Sequence, residues 1–266
     1  MPRFEPHPAR RPAIVSGASS GIGTATAYAL AELGHPVALG ARRVDECEAI
    51  AEKIRAEGGQ AIAHFLDVSS TESVDAFVTA AEAAHGPTEI VISGAGDMDF
   101  ALVHEMDPDR FEFQVDVHLG GTQRLAHRVV PGMIERTRGD FVVIGSDCAV
   151  EARPRAGAYI GAKTGLEALV RQMRMELEGT GVRASTVRPG PTQTAAGMDQ
   201  PEEVVGPLLE DWIHWGLARH PYLLRASDIA AAAVSVVSAP RGAHIVLVEV
   251  QPEAPLRKND DRTDQA

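Results

Sequence analysis

Ala13-Ile14-Val15-Ser16-Gly17-Ala18-Ser19-Ser20-Gly21-Ile22-Gly23 decides how this chain is read. A short apolar run leads into a turn with glycines at 17, 21 and 23. An alanine-rich stretch of helical pattern follows, from Thr24 to Leu33. Strand, glycine turn, helix is the context that makes a phosphate cradle credible. The glycines let the chain turn tightly and approach a pyrophosphate, whose charge is met by the helix N-terminus. The cradle residues are Gly17, Ser19, Ser20, Gly21, Ile22 and Gly23. Their spacing is G-x-x-x-G-x-G, not G-x-G-x-x-G. A glycine turn alone is often just a turn, so the rest of the chain has to support it.

Working outward, apolar runs alternate with helical patterns along the whole sequence. Strands are predicted at Ala13–Val15, Pro36–Leu39, Ala61–Leu66, Ile90–Ser93, Phe141–Ile144, Arg183–Val187 and His244–Val250. The alternation implies βαβ units: one α/β domain with a doubly wound parallel sheet of about seven strands, helices on both faces, and ligands at the strands' carboxyl ends. The expected domain spans 1–251. Residues 252–266 are polar and charged and read as a disordered tail. Ser69 with Glu72 has the spacing of a capping box and predicts the helix after the third strand.

Tyr159 and Lys163 lie four residues apart, and Ser146 lies thirteen residues before the tyrosine. Positions i and i+4 share a helix face. A phenol and an ammonium placed there can act on one substrate atom. The ammonium favours the phenolate, and so pulls the tyrosine down from its usual value near ~10. Tyr-x-x-x-Lys is weak by itself. Together with Ser146 and the glycine turn it is hard to dismiss.

At this point the chain resembles the short-chain dehydrogenase/reductase family, from about Arg11 to about Gln251. The resemblance implies a Rossmann-type fold and reversible hydride transfer between nicotinamide and a carbonyl or alcohol carbon. Ser146 would hold the substrate oxygen, Tyr159 would exchange its proton, and Lys163 would tune the tyrosine and bind the nicotinamide ribose. The family's N-A-G segment is represented by Gly94-Ala95-Gly96, without its Asn. The family's catalytic Asn is replaced by His118, whose imidazole offers a water anchor with a pH-dependent charge. The P-G segment is intact: Pro189 and Gly190 would shape the backbone near the nicotinamide, with Thr192 and Thr194 at its amide or the phosphates. Asp67, followed by Val68, would meet the adenine. Asp147 and Cys148 either line the pocket or serve the structure.

The second strand ends at Leu39-Gly40-Ala41-Arg42-Arg43. An NAD site needs an acid about 20 residues past the glycine turn. Ala41 stands there; Arg42, next to it, is the favoured guanidinium, with Arg43 following. A guanidinium binds a 2′-phosphate that a carboxylate would repel, and Ser19 can add a donor. The pattern resembles the NADP-preferring branch, so NADP(H) is the expected cofactor.

The formal charge of −12 argues against a nucleic-acid surface. Cys47 and Cys148 are the only cysteines; they suit a reducing compartment, and neither has the spacing of a metal site. No apolar run approaches the ~18–20 residues of a membrane span. Met1-Pro2-Arg3-Phe4-Glu5-Pro6 lacks the apolar core of a signal peptide, so a cytoplasmic protein is expected. From Thr192 to Ala226 the regular pattern breaks; this stretch holds Trp212, Trp215, His214 and His220. The family uses this region to cover substrate, and core packing or an oligomer contact is about as good a reading of either tryptophan. A homotetramer or dimer built on helices Asp109–Glu135 and Ala156–Glu178 is implied by the resemblance. Three readings compete: an NADP(H)-dependent oxidoreductase for a small, fairly apolar carbonyl or alcohol; a 3-oxoacyl carrier-protein reductase, docking through Arg124, Arg128, Arg136 and Arg138; and a non-catalytic nucleotide sensor or scaffold of the same fold.

Overall fold

The computed structural model describes residues 4–194, 202–217, 220 and 222–256. Part of the 192–226 stretch and most of the predicted tail lie outside the described residues. One sheet holds seven strands: β1 (Ala13–Ser16), β2 (Val37–Ala41), β3 (Ala61–Phe65), β4 (Ile90–Ser93), β5 (Gly139–Ile144), β6 (Val182–Pro189) and β7 (Leu247–Val250). Their order is β3-β2-β1-β4-β5-β6-β7, and every pairing is parallel. The strands match the predicted runs to within a few residues. Only the seventh starts notably late, at Leu247; ahead of it the His244 ring bonds the Ala184 carbonyl at 3.0 Å.

The sheet carries a hydrophobic core on each face. Successive strand side chains point to opposite sides, so Ala13 and Val15 join one core while Ile14 joins the other. On the first face lie α1 (Gly21–Glu32), α2 (Val44–Ala56) and α8 (Ala226–Val237). The second is covered by α3 (Thr71–His85), α5 (Gly121–Glu135) and α6 (Gly157–Glu176). Leu30, Leu39, Phe77 and Ile92 are fully buried; each such side chain contributes roughly 1.5–3 kcal/mol of transfer free energy.

The amino ends of the strands hold a buried ion cluster. Arg11 pairs with Asp140, and its Nε lies 3.5 Å from Glu89. Arg183 adds hydrogen bonds of 2.6 and 3.0 Å to Asp140. It sits at the opposite edge from the glycine turn, so the carboxyl edge is left for ligand. α3 starts differently from expectation. Asp67 takes the Ser69 hydroxyl at 2.6 Å, so Ser70 caps the helix, accepting from Ser73 N at 3.2 Å.

Candidate active site

Strand order reverses between β1 and β4, and in such sheets the crevice at that point takes the ligand. Here the glycine turn runs from β1 into α1. Gly17 has φ of 72°, and a Cβ there would stand 2.7 Å from the Gly94 carbonyl. A Cβ on Gly23 would stand 2.2 Å from the Gly17 carbonyl, so only glycine lets α1 begin here. Ser16, the last residue of β1, is a staple. Its Oγ accepts from Gly94 N at 3.1 Å and Ala95 N at 3.2 Å, tying the Gly94-Ala95-Gly96 loop to the turn. Thr194 reaches the same place, its Cγ2 3.2 Å from a Cβ built at Gly21. Ile22 packs partly buried against the core behind the turn.

Beyond β2 the two arginines divide. Arg43 donates to Ser19 Oγ at 3.2 Å and Ser20 Oγ at 3.1 Å, spanning the mouth of the turn. Arg42, the favoured candidate in sequence, makes neither contact and is exposed near Asp67. Ala41 is buried at the strand end. Burial would raise the Asp67 carboxyl, yet two hydrogen bonds from Ser69 and the nearby Arg42 and Arg124 hold it below its usual range. Val68 is buried against Gly121. At the end of β6, Gly190 N donates to Val250 O at 2.8 Å, and the Thr192 hydroxyl turns back to Gly190 O at 2.8 Å. Pro189 is the last residue of that strand.

Ser146 leaves β5 as the cap of a short 3-10 turn, Asp147–Ala149. Its Oγ accepts from Cys148 N at 3.2 Å and donates weakly to Asp147 at 3.4 Å. Tyr159 and Lys163 project from the first turns of α6. The Lys163 Nζ donates to Ile144 O at 2.8 Å and lies 5.5 Å from the Tyr159 ring centre. Burial lowers Lys163 to about 8. Tyr159 goes the other way from expectation. Burial pushes its phenol above the usual range, the charges of Cys148 and Asp147 adding to that, while a hydrogen bond with Ser146 and the Arg153 charge pull it down. Lys163 is turned to the Ile144 carbonyl, so desolvation outweighs the attraction read from the i, i+4 spacing.

His118 sits in a π-helical turn, Asp116–Gly120, between α4 (Pro108–Val115) and α5, closed by Gly121 N–H to Asp116 O. Such turns widen a helix and often mark functional positions. The ring lies 5.3 Å from the Tyr159 ring, edge to face. Its Nε2 is 2.7 Å from Asp97 O, and Nδ1 is buried with no partner among the described residues. A Cβ at Gly96 would strike the ring at 2.6 Å, which accounts for the glycine. Burial and the Lys163 charge hold the imidazole at about 3. The expected pH-dependent charge is therefore absent near neutrality: the ring stays neutral.

Sequence reading missed Arg153. It is buried and pairs with Asp147, donating to Oδ1 at 3.2 Å, and with Cys148 Sγ at 3.3 Å. It lay in a Pro/Arg loop with no pattern to single it out. The Glu167–Arg188 pair, its carboxylate buried and its guanidinium half-buried, at 2.9 and 2.7 Å beside the Pro189-Gly190 corner, was missed too. Trp212, on α7 (Glu202–His214), meets Phe100 edge-on, whereas Trp215 is 66% exposed. His214 is exposed and His220 half-buried. The expected basic docking face does not form. Arg124 pairs with Asp116, Arg128 with Asp75 and Glu82, Arg138 with Glu89, and Arg136 donates to Thr88 O.

A glycine-cradled helix N-terminus at the switch point of a seven-stranded parallel sheet defines a Rossmann-type α/β protein. The chain belongs to the short chain dehydrogenase family, whose model matches residues 11–204. It is 35% identical over 239 residues to glycine betaine reductase ATRR of Emericella nidulans, an alignment covering 90% of this chain and 18% of that protein. The chain thus spans under a fifth of that relative's length. Among solved structures it is similar to an alcohol dehydrogenase from the archaeon Thermococcus sibiricus complexed with 5-hydroxy-NADP: TM-score 0.79, 29% identity, 93% of this chain and 100% of that one. A metagenomic short-chain oxidoreductase in complex with NADP gives a TM-score of 0.76 at 29% identity, over 92% of this chain and 98% of that one. Among the described residues no helix is long and apolar enough to cross a membrane.

Proposed function

We propose that the chain is an NADP(H)-dependent oxidoreductase acting between nicotinamide and the carbonyl or alcohol carbon of a small, fairly apolar molecule. The observation that carries this reading is the grouping of buried Ser146 and Lys163 with half-buried Tyr159, whose phenol bonds Ser146 and whose ring centre lies 5.5 Å from Lys163 Nζ. The cradle fits a dinucleotide: Gly17 and Gly23 leave room that a Cβ would fill, Ala41 stands where an NAD site has its acid, and Arg43 with Ser19 and Ser20 offers cationic and hydroxyl donors nearby. The solved relatives with NADP or 5-hydroxy-NADP bound support the same choice.

NADP(H) would rest its pyrophosphate on the glycine turn and its 2′-phosphate against Arg43, and when bound it supplies the hydride. Ser146 holds the substrate oxygen by hydrogen bond and stabilises charge as it develops there. Tyr159 gives that oxygen its proton in reduction and accepts it in oxidation. Lys163, cationic at neutral pH, holds the ribose and offsets only part of what burial costs the tyrosinate. His118, neutral, packs against the Tyr159 ring. The apolar reading of the substrate is supported by Phe100 and Trp212, which meet edge-on, and by the exposed Val103 and Val150. An open apolar cavity of about 620 Å³ lined by Phe111, Val115, Leu119, Gly165 and Leu169 supports a homo-oligomer, dimer or tetramer, on the α4–α5 and α6 face.

The test is a carbonyl and alcohol panel read by nicotinamide absorbance with both cofactors, on the wild type and Tyr159→Phe. The variant should lose turnover and keep cofactor affinity. Retention of more than a few per cent of activity would remove Tyr159 from its role, and no turnover by the wild type across the panel would favour the non-catalytic reading.

A further inference from the structure

Arg153 joins two parts of the molecule that the sequence keeps apart. On one side its Nη1 and Nη2 donate to the Asp147 carboxylate, at 3.2 and 2.5 Å, and Nη1 reaches Cys148 Sγ at 3.3 Å. Both of those residues also bond the Ser146 hydroxyl. On its other side the guanidinium lies 5.2 Å from the Trp212 ring centre. α7 is fastened to the same loop twice more. Trp212 Nε1 donates to Pro154 O at 3.3 Å, and Arg155 Nε donates to Asp211 at 2.7 Å. Arg155 has φ of 65°, a left-handed conformation held by its side chain on α7 and its carbonyl, which accepts from Ala101 N at 2.9 Å.

We propose that Arg153 is a positioning residue that makes the seating of α7 and the placement of the Ser146 hydroxyl a single event. This rests on the reading of Ser146 as the group that holds substrate oxygen. The guanidinium is suited to it: the edge of the plane grips a carboxylate in two places while its face stacks on an indole. The Asp147–Arg153 pair is buried on both sides, so it does not exchange partners cheaply with water. When Trp212 leaves the guanidinium face, the Asp147–Cys148 turn loses its support. Substrate that seats α7 thereby sets the group that will hold its oxygen.

The chain's two tryptophans are Trp212 and Trp215, so Trp215→Phe leaves an emission that reports Trp212 alone. In that background Arg153→Lys, which keeps the charge and loses the plane, should redshift emission and raise iodide quenching about twofold. In the panel reaction it should lower kcat about tenfold, with the cofactor KM within twofold. Trp212→Ala, on a surface helix, should lower kcat similarly, and the two changes together should do no more than either alone. Trp212→Ala should also speed hydrogen exchange at the 146–150 amides at least threefold. That readout needs no turnover, so it separates this proposal from the activity it rests on. Multiplying kcat losses, or unchanged exchange at 146–150 in Trp212→Ala, would overturn the coupling.

Discussion

Arg43→Ala tests the cofactor reading most directly, because the structure and the residue pattern choose different arginines. Arg43 donates to both turn hydroxyls at 3.1–3.2 Å, whereas Arg42 makes neither contact. A hydrogen bond to a charged group contributes about 1.5–3 kcal/mol. Arg43 is exposed, so solvent and salt screen it and the low end applies. About 1.5 kcal/mol is roughly tenfold in affinity. NADPH and NADH would be titrated against the wild type, Arg43→Ala and Arg42→Ala at low and physiological salt. Arg43→Ala should weaken NADPH about tenfold, less at the higher salt, and leave NADH within about twofold. Arg42→Ala should have the smaller effect. Adding Ala41→Asp to Arg43→Ala should reverse the preference, since a carboxylate repels the phosphate and accepts from a ribose hydroxyl. Equal loss of both cofactors in Arg43→Ala would refute the reasoning. So would a larger loss in Arg42→Ala.

Two further predictions follow from burial. Lys163 is held down to about 8, so keeping it protonated in the fold at pH 7 costs on the order of 3 kcal/mol. That cost is full below pH 8 and fades as pH rises toward the unfolded value. Lys163→Met should therefore abolish turnover yet raise Tm at pH 7 by several degrees, with the gain shrinking above pH 9; a lower Tm at pH 7 would show that the bond to Ile144 O outweighs desolvation. His118 is held at about 3, so the folded state binds fewer protons there than the unfolded chain, which titrates near ~6.5. Its share of stability, full above ~6.5, is lost as pH falls toward 3. His118→Asn should flatten that acid loss in a melting series and leave the shape of the pH–rate profile from 5.5 to 9 unchanged. A rate limb near pH 6–7 that vanishes in the variant would contradict a neutral imidazole.

The residue pattern carried the fold a long way. Parallel strands covered on both faces read as unbroken apolar runs, as β1, β2 and β4 do, while the edge strands β3 and β7 and the polar β6 were placed by the alternation with helices. Gly17, Gly21 and Gly23 marked the β1–α1 turn because their need for glycine is local: a positive φ at the first two, and at Gly23 a carbonyl of the same turn. The pairing of Tyr159 with Lys163 was legible for a similar reason, since helix geometry fixes which residues share a face.

The choices between neighbours were not local. Whether Arg42 or Arg43 faces the turn depends on how the chain leaves β2 to enter α2. Whether Ser69 or Ser70 caps α3 depends on Asp67, which claims Ser69. Arg124, Arg128, Arg136 and Arg138 looked like a basic face until their partners on α3, the π-helical turn and the β4 approach were in place. The His118 charge and the direction of the Tyr159 shift were set by burial, which no spacing reveals. By itself the sequence determined what backbone conformation and period dictate: the strands, the glycine turn and the helix that presents Tyr159 and Lys163. Tertiary structure alone decided which charges are free, which are paired and which are buried, because desolvation and ion pairing depend on distances through space that sequence separation does not encode.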